Sequence, residues 1–228
     1  MKFPSRLFLF LFALQICSAQ EAFDRLTFHA APKPLSKEVN TSDWPRVLGP
    51  TDDAHSPETH LLKTWKAGEP KAVWEVQMGD AYNSPAISGD FCVIFHALDG
   101  KETIECLDRE TGKRFWSHDY PISYQDRYGF GNGPRGSPVI ADGVVVTYGV
   151  TGELLALDLK TGKLLWKHSL RTEMHVPQDF FRAGGTPLII GWQGDPERRR
   201  EKRADRRRRR IARPQGTPRG SRCERGGV

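Results

Sequence analysis

Hydrophobic positions across residues 71–191 come in short runs separated by turns that carry Gly, Asp or Pro. Residues 91–95 and 144–148 are runs of about five, dense in β-branched and aromatic side chains, a pattern that predicts strands. Residues 104–107 and 154–157 follow the turn signals Asp99-Gly100 and Thr151-Gly152, and residues 114–118 and 164–168 close each unit. The stretch Ile-Glu-Cys-Leu-Asp-Arg-Glu-Thr-Gly-Lys-Arg-Phe-Trp-Ser-His from Ile104 recurs 50 residues later as Leu-Leu-Ala-Leu-Asp-Leu-Lys-Thr-Gly-Lys-Leu-Leu-Trp-Lys-His from Leu154. Upstream, Ser84-Pro85-Ala86-Ile87 returns as Ser137-Pro138-Val139-Ile140 and again as Thr186-Pro187-Leu188-Ile189, and Trp74 marks the end of an earlier unit. A period near 50 residues with several short strands inside each copy predicts a solenoid or a propeller.

The repeated turn has a mechanical basis. Gly112 and Gly162 can take positive φ without steric cost. Asp108 and Asp158 can accept hydrogen bonds from the turn amides, and Thr111 and Thr161 can do so more weakly. Trp116 and Trp166 then stand on the last strand, where a flat ring fills the gap to a neighbouring sheet. A four-stranded sheet with two apolar faces cannot bury both alone, so units must stack, and radial stacking gives a β-propeller. The predicted architecture is an all-β partial propeller of four-stranded antiparallel blades: two full blades (84–120 and 137–170), a trailing strand before them and a leading strand after.

The doubled Asp-x-x-Thr-Gly-Lys-x-x-Trp resembles the repeat of the pyrroloquinoline-quinone, or quinoprotein-like, β-propeller family. The opening Asp43-Trp44-Pro45-Arg46-Val47-Leu48-Gly49-Pro50 is similar to the start of its secreted, uncharacterised subgroup. The family includes quinone-dependent dehydrogenases, a lipoprotein of outer-membrane protein assembly and many secreted propellers. The resemblance therefore implies a fold more sharply than an activity. It implies seven or eight blades in a closed ring, and after Gly191 the repeat stops.

Composition changes this picture at the two ends. Lys2 and Arg6 precede the apolar run of residues 7–14, and Cys17-Ser18-Ala19 supplies small residues for cleavage after Ala19. Residues 1–19 are expected to be a signal peptide of a secreted or periplasmic protein, and no later run is long enough to span a bilayer. Residues 20–70 form an N-terminal extended segment. The net charge of +6 is lopsided: residues 192–228 hold 13 Arg, one Lys and five acids, a local +9, against −3 for the rest. That excludes a nucleic-acid-binding body. The Arg-rich tail has three readings: a polyanion arm, a solvated tail without a role, and out-of-frame text.

Candidate chemistry is sparse. Gly131-Asn132-Gly133-Pro134-Arg135-Gly136 matches G-x-G-x-x-G, but an apolar strand follows where a dinucleotide site needs a helix. Asn132 and Arg135 are the candidate ligand contacts, on a loop leading toward the channel. His118 and His168 recur with the repeat, which argues for structure; His55 and His60 lack further metal ligands. Tyr124, Tyr128, Phe130, Phe180 and Phe181 are expected mostly to plug gaps between blades. Cys92 and Cys106 share parity and could face each other across a hairpin, although two buried thiols are the simpler expectation. No catalytic residue, metal ligand or cofactor is assigned. The expected function is a binding or assembly scaffold with a protein or small-molecule partner at the propeller face; the alternative, implied by the resemblance, is a dehydrogenase using pyrroloquinoline quinone with calcium.

Overall fold

A computed structural model describes residues 23–35, 38–59, 61, 64–176 and 183–190. The expected signal peptide, the Arg-rich tail, and His60, Phe180 and Phe181 lie outside them. The chain runs β1 (Leu26–Phe28), β2 (Trp74–Val76), β3 (Ala86–Ser88), β4 (Phe91–Leu98), β5 (Lys101–Asp108), β6 (Arg114–Pro121), β7 (Val139–Ala141), β8 (Val144–Tyr148), β9 (Glu153–Asp158), β10 (Leu164–Ser169) and the single-turn α1 (Leu170–Glu173). Strands β3-β4-β5-β6 form one antiparallel meander and β7-β8-β9-β10 the next, so each repeat is a four-stranded blade. Among the described residues no helix is long and apolar enough to cross a membrane.

Blade 1 is longer than its apolar run suggests, with eight residues in each of β4, β5 and β6. The reason is the Asp99-Gly100 turn, whose two residues both take positive φ (51° and 74°) and so match the twist of a tight hairpin. Pairing therefore continues unbroken from Leu98↔Lys101 to Phe91↔Asp108. The same register separates the two cysteines. Cys106 pairs with Val93, while Cys92 pairs with Leu107, so a two-residue turn puts residues of equal parity on opposite faces. Cys92 and Cys106 are accordingly free, buried thiols, and burial pushes them up to about 11 and about 12.

Each face of blade 1 has a partner. Val93, Phe95, Ile104, Cys106, Trp116 and Tyr120 pack on Ile140, Val145, Leu155, Leu157 and Leu159 of blade 2. Cys92, Ile94 and Leu107 pack on Phe23, Trp74 and Val76. The second contact includes a feature not foreseen in the sequence: β1, from the N-terminal segment, pairs antiparallel with β2. Farther along that segment, Trp44 exchanges two backbone hydrogen bonds with Ile87, and Pro45 O accepts from Ile140 N–H, so one strap crosses both inner strands.

Contacts between blades repeat as the sequence does. The Trp74 indole N–H donates to Arg109 O (3.1 Å), and that of Trp116 donates to Leu159 O (2.8 Å). Arg109 and Leu159 occupy the same place in successive repeats. At the inner strands, Ser84 N–H donates to the Ser137 hydroxyl, and Ser137 N–H donates to the Thr186 hydroxyl, each at 3.1 Å. The Ser/Thr-Pro motif is thus a hydroxyl ladder from blade to blade.

Candidate functional site: the loops joining the blades

The sequence-derived contacts Asn132 and Arg135 lie on the long connection between β6 and β7, against residues 80–83 at the start of blade 1. Asp126 organises this connection. Its carboxylate accepts N–H bonds from Phe130 (2.7 Å) and Tyr128 (3.2 Å) and the hydroxyl of Tyr124 (3.0 Å). These donors, the Phe130 amide above all, hold its carboxyl below the usual range. Arg135 Nη2 lies 3.6 Å from the same carboxylate, Arg135 Nη1 donates to Gly133 O (3.0 Å), and the guanidinium rests on the rings of Tyr82 (5.2 Å) and Tyr124 (6.0 Å). Asn132 caps the loop: its Oδ1 accepts from Asp126 N–H (2.7 Å), and its own N–H donates to Asp80 Oδ2 (2.9 Å).

Asn132 and Arg135 therefore share one loop, and the contacts just given bind that loop to itself and to Asp80 and Tyr82 at the start of blade 1. The glycine motif has a steric explanation of the same kind. A Cβ on Gly133 would fall 1.8 Å from Asp80 O, and one on Gly136 2.4 Å from Gly185 O. The glycines let backbones of neighbouring blades cross at contact distance. Tyr124 packs under Arg135 as a plug would, but Tyr128 and Phe130 do not. These two residues are 52% and 58% exposed, and Tyr82 beside them is 55% exposed. The physical reason is that Asp126 draws the amides of residues 128 and 130 inward, which leaves their side chains to point out. Tyr128 and Phe130 stand 6.4 Å apart, centroid to centroid.

The repeated histidines do not share an environment. His168 Nδ1 contacts Glu173 (2.7 Å) on the surface, whereas burial lowers the His118 pKa. The repeated turns do match: Asp108 Oδ1 accepts from the N–H groups of Glu110 and Thr111 and the Thr111 hydroxyl, and Asp158 Oδ1 accepts from those of Lys160 and Thr161 and the Thr161 hydroxyl.

Two buried carboxylates escaped the sequence reading. Glu105 meets His96 Nε2 (3.0 Å), Arg25 Nη2 and Arg114 Nη1 (3.0 Å). Burial raises its pKa, but the bonds from His96, Arg25 and Arg114 outweigh that and hold it at about 2. Glu102, buried on the opposite face of β5, accepts from Val150 N–H (2.7 Å) and the Tyr120 hydroxyl (2.8 Å), and burial pushes it up to about 7. Alternating charge along a strand usually marks a solvated face; here both faces are covered, and no local sequence signal separates the two cases.

Cys92 and Cys106 sit on opposite faces of one sheet, and among the described residues no group of three or more His, Cys, Asp or Glu side chains converges on a metal position.

Residues 100–189 match the repeat family described as outer membrane protein assembly factor BamB. The tetrathionate hydrolase of Acidithiobacillus ferrooxidans is 29% identical over 140 residues, covering 55% of this chain and 26% of that protein. BamB from Moraxella catarrhalis aligns at 24% identity over 47% of this chain and 27% of its own, with a TM-score of 0.31. A europium-containing methanol dehydrogenase aligns at 21% identity over 50% and 19%, with a TM-score of 0.36. The chain spans about a quarter of the curated relative it matches. With the doubled turn and the two meander blades, residues 100–189 carry repeats of the pyrroloquinoline-quinone-like β-propeller type.

Proposed function

We propose that this is an exported propeller-repeat protein serving as a binding or assembly scaffold, and that Tyr82, Tyr128 and Phe130 contact its protein partner. The observation that carries this reading is the pairing of three rings, each more than half exposed, with a loop backbone fixed by Asp126, Asn132 and Arg135. A rigid aromatic surface binds without a large ordering cost, which is how such residues come to dominate interfaces. Arg135 and Asn132 act here as positioning residues beneath the rings. The matched family description, an assembly factor, supports a role in holding other chains together. Export rests on the basic start, apolar run and small residues before Ala19.

A photo-crosslinking amino acid at position 130 of the full chain, expressed in its host, tests the proposal. A discrete adduct with one protein is expected, together with its loss in Tyr82→Ala/Tyr128→Ala and a mature N-terminus at Gln20. No adduct above that from a crosslinker at exposed Lys71 would overturn it. Dye reduction on adding pyrroloquinoline quinone and calcium would favour the dehydrogenase instead.

A further inference from the structure

We infer that strand β1 is a clamp that sets the aromatic surface, ordering it when Arg25 is docked on Glu105 and Gln77 and loosening it when Arg25 is released. The inference rests on the reading of Tyr82, Tyr128 and Phe130 as the partner contact and adds what controls that contact.

The link is the ribbon of residues 77–83, between β2 and β3. From below, β1 and β4 hold it. Gln77 N–H donates to Arg25 O (3.0 Å), and Gln77 O accepts from Arg25 Nη1. Gly79 N–H donates to His96 Nδ1 (3.1 Å). Asp80 exchanges two backbone bonds with Ala97 (2.9 and 2.8 Å), and Asn83 Nδ2 donates to Phe95 O (3.0 Å). A Cβ on Gly79 would fall 1.8 Å from Ala97 O, so the ribbon lies directly on β4. On its other side the ribbon holds the loop between β6 and β7. Asn132 N–H donates to Asp80 Oδ2 (2.9 Å), Tyr82 N–H donates to Pro134 O (3.0 Å), and Asn83 Nδ2 also reaches Gly136 O (3.2 Å). Tyr82 thus rides on the ribbon itself, and Tyr128 and Phe130 ride on the loop that the ribbon holds.

Arg25 governs the ribbon at two points. One is the direct pair of bonds to Gln77. The other runs through Glu105, whose Oε2 meets both Arg25 Nη2 and His96 Nε2 while its Oε1 meets Arg114. The carboxylate keeps the His96 proton on Nε2, which leaves Nδ1 as the acceptor that Gly79 needs. Phe23 completes the clamp: it packs with Cys92, Ile94 and Leu107, and the guanidinium groups of Arg25 and Arg114 lie over its ring at 5.0 and 4.8 Å. The strand that carries Arg25 is lightly held. It has three residues, pairs only with β2, and exposes Thr27 and Phe28. Such an element opens at a free energy below that of the blade cores. Its docked and released forms are the two states that bias the loop.

Amide exchange of the full chain tests this. The reporters are the N–H groups of Asp80, Tyr82 and Asn132, set against that of Leu159, which donates to Gly143 O in blade 2 (3.0 Å). Arg25→Ala should speed the three reporters several-fold and leave Leu159 unchanged. Arg25→Lys, with one ammonium in place of a two-pronged guanidinium, should speed the same three by less. In the photo-crosslinking experiment at position 130, Arg25→Ala should lower the adduct yield although it removes no ring. Unchanged exchange at the three reporters, or an equal acceleration at Leu159, would overturn the inference, as would an undiminished adduct yield in Arg25→Ala. An adduct missing from the native chain counts against the scaffold reading instead, and the exchange rates then decide the clamp alone.

Discussion

The indole of Trp116 lies flat on Gly162 of the next blade, close enough that a Cβ on Gly162 would fall 2.6 Å from Trp116 Cδ2, while the indole N–H donates to Leu159 O at 2.8 Å. The ring seals the outer end of the contact between blades, and the glycine makes room for it. Trp74 and Gly112 repeat the arrangement one blade earlier, at 2.7 Å. The repeat motif is therefore half of a joint: its turn receives the tryptophan of the preceding blade, and its own tryptophan serves the following one.

Gly162→Ala separates the two functions of this glycine. It has φ +69° and sits against a ring, whereas Gly100 has φ +74° and open space around it. Alanine at Gly100 should cost about 1 kcal/mol for the left-handed backbone alone. At Gly162 overpacking adds about 1–3 kcal/mol. Urea denaturation of both variants measures the difference; equal losses would mean that the ring contact contributes nothing.

Asp158→Ala removes three hydrogen bonds to one carboxylate oxygen and leaves the turn amides of Lys160 and Thr161 to solvent. A loss of about 1–3 kcal/mol is expected, since bonds to charged groups contribute that much. Asp158→Asn should retain part of it, because an amide oxygen still accepts. Amide exchange at Thr161 reports the effect locally, and unchanged protection in the alanine variant would contradict it.

The turns were legible because their chemistry is local: an aspartate, a glycine and a tryptophan at fixed spacing describe a hairpin before any partner is known. The Ser84, Ser137 and Thr186 series was legible as a repeat, but its ladder was not, since each hydroxyl bonds about 50 residues away. The cysteines show how narrow the margin is. One residue of register, set by Asp99-Gly100, decides whether Cys92 and Cys106 share a face. Arg25 and β1 were invisible for the opposite reason. Nothing around Leu26–Phe28 marks a strand, and the pairing exists because Trp74–Val76 offers it an edge.

Glu105→Gln should destabilise by roughly 3–5 kcal/mol, because it strips a buried anion from Arg25, Arg114 and His96. His96 is fixed as a neutral donor to Glu105: its Nδ1 accepts the Gly79 N–H, so Nε2 carries the proton. The folded pKa of Glu105, about 2, lies below its ordinary 4.5. Its contribution is thus present above 4.5 and lost as the pH falls toward 2. Acid denaturation followed by circular dichroism should show this loss in the native chain and not in the variant.

Glu102 acts with the opposite sign from the other face of β5. The groups facing it are the Tyr120 hydroxyl, the Val150 N–H, Glu153 and Lys167, the last paired with Glu153 at 2.9 Å and lying over the Tyr120 ring. Among the described residues no cation touches Glu102 itself, and a Cβ on Gly149 would fall 2.1 Å from its carboxylate, so the backbone of residue 149 closes that side. Its folded pKa, about 7, stands above its ordinary 4.5. The stabilisation is therefore complete below 4.5 and is lost as the pH rises through 7, by on the order of 3 kcal/mol at 1.36 kcal/mol per pH unit. Glu102→Gln keeps an acceptor for Val150 and an amide donor for the Tyr120 oxygen but cannot ionise. Urea midpoints should differ least below pH 4.5, diverge as the pH rises from 4.5 to 7 and stay apart above it, with the glutamine variant gaining relative to the native chain. If the gap between them stays constant from pH 5 to pH 8, Glu102 does not titrate between the blades. Otherwise stability peaks near pH 5, bounded below by Glu105 on one face of the strand and above by Glu102 on the other.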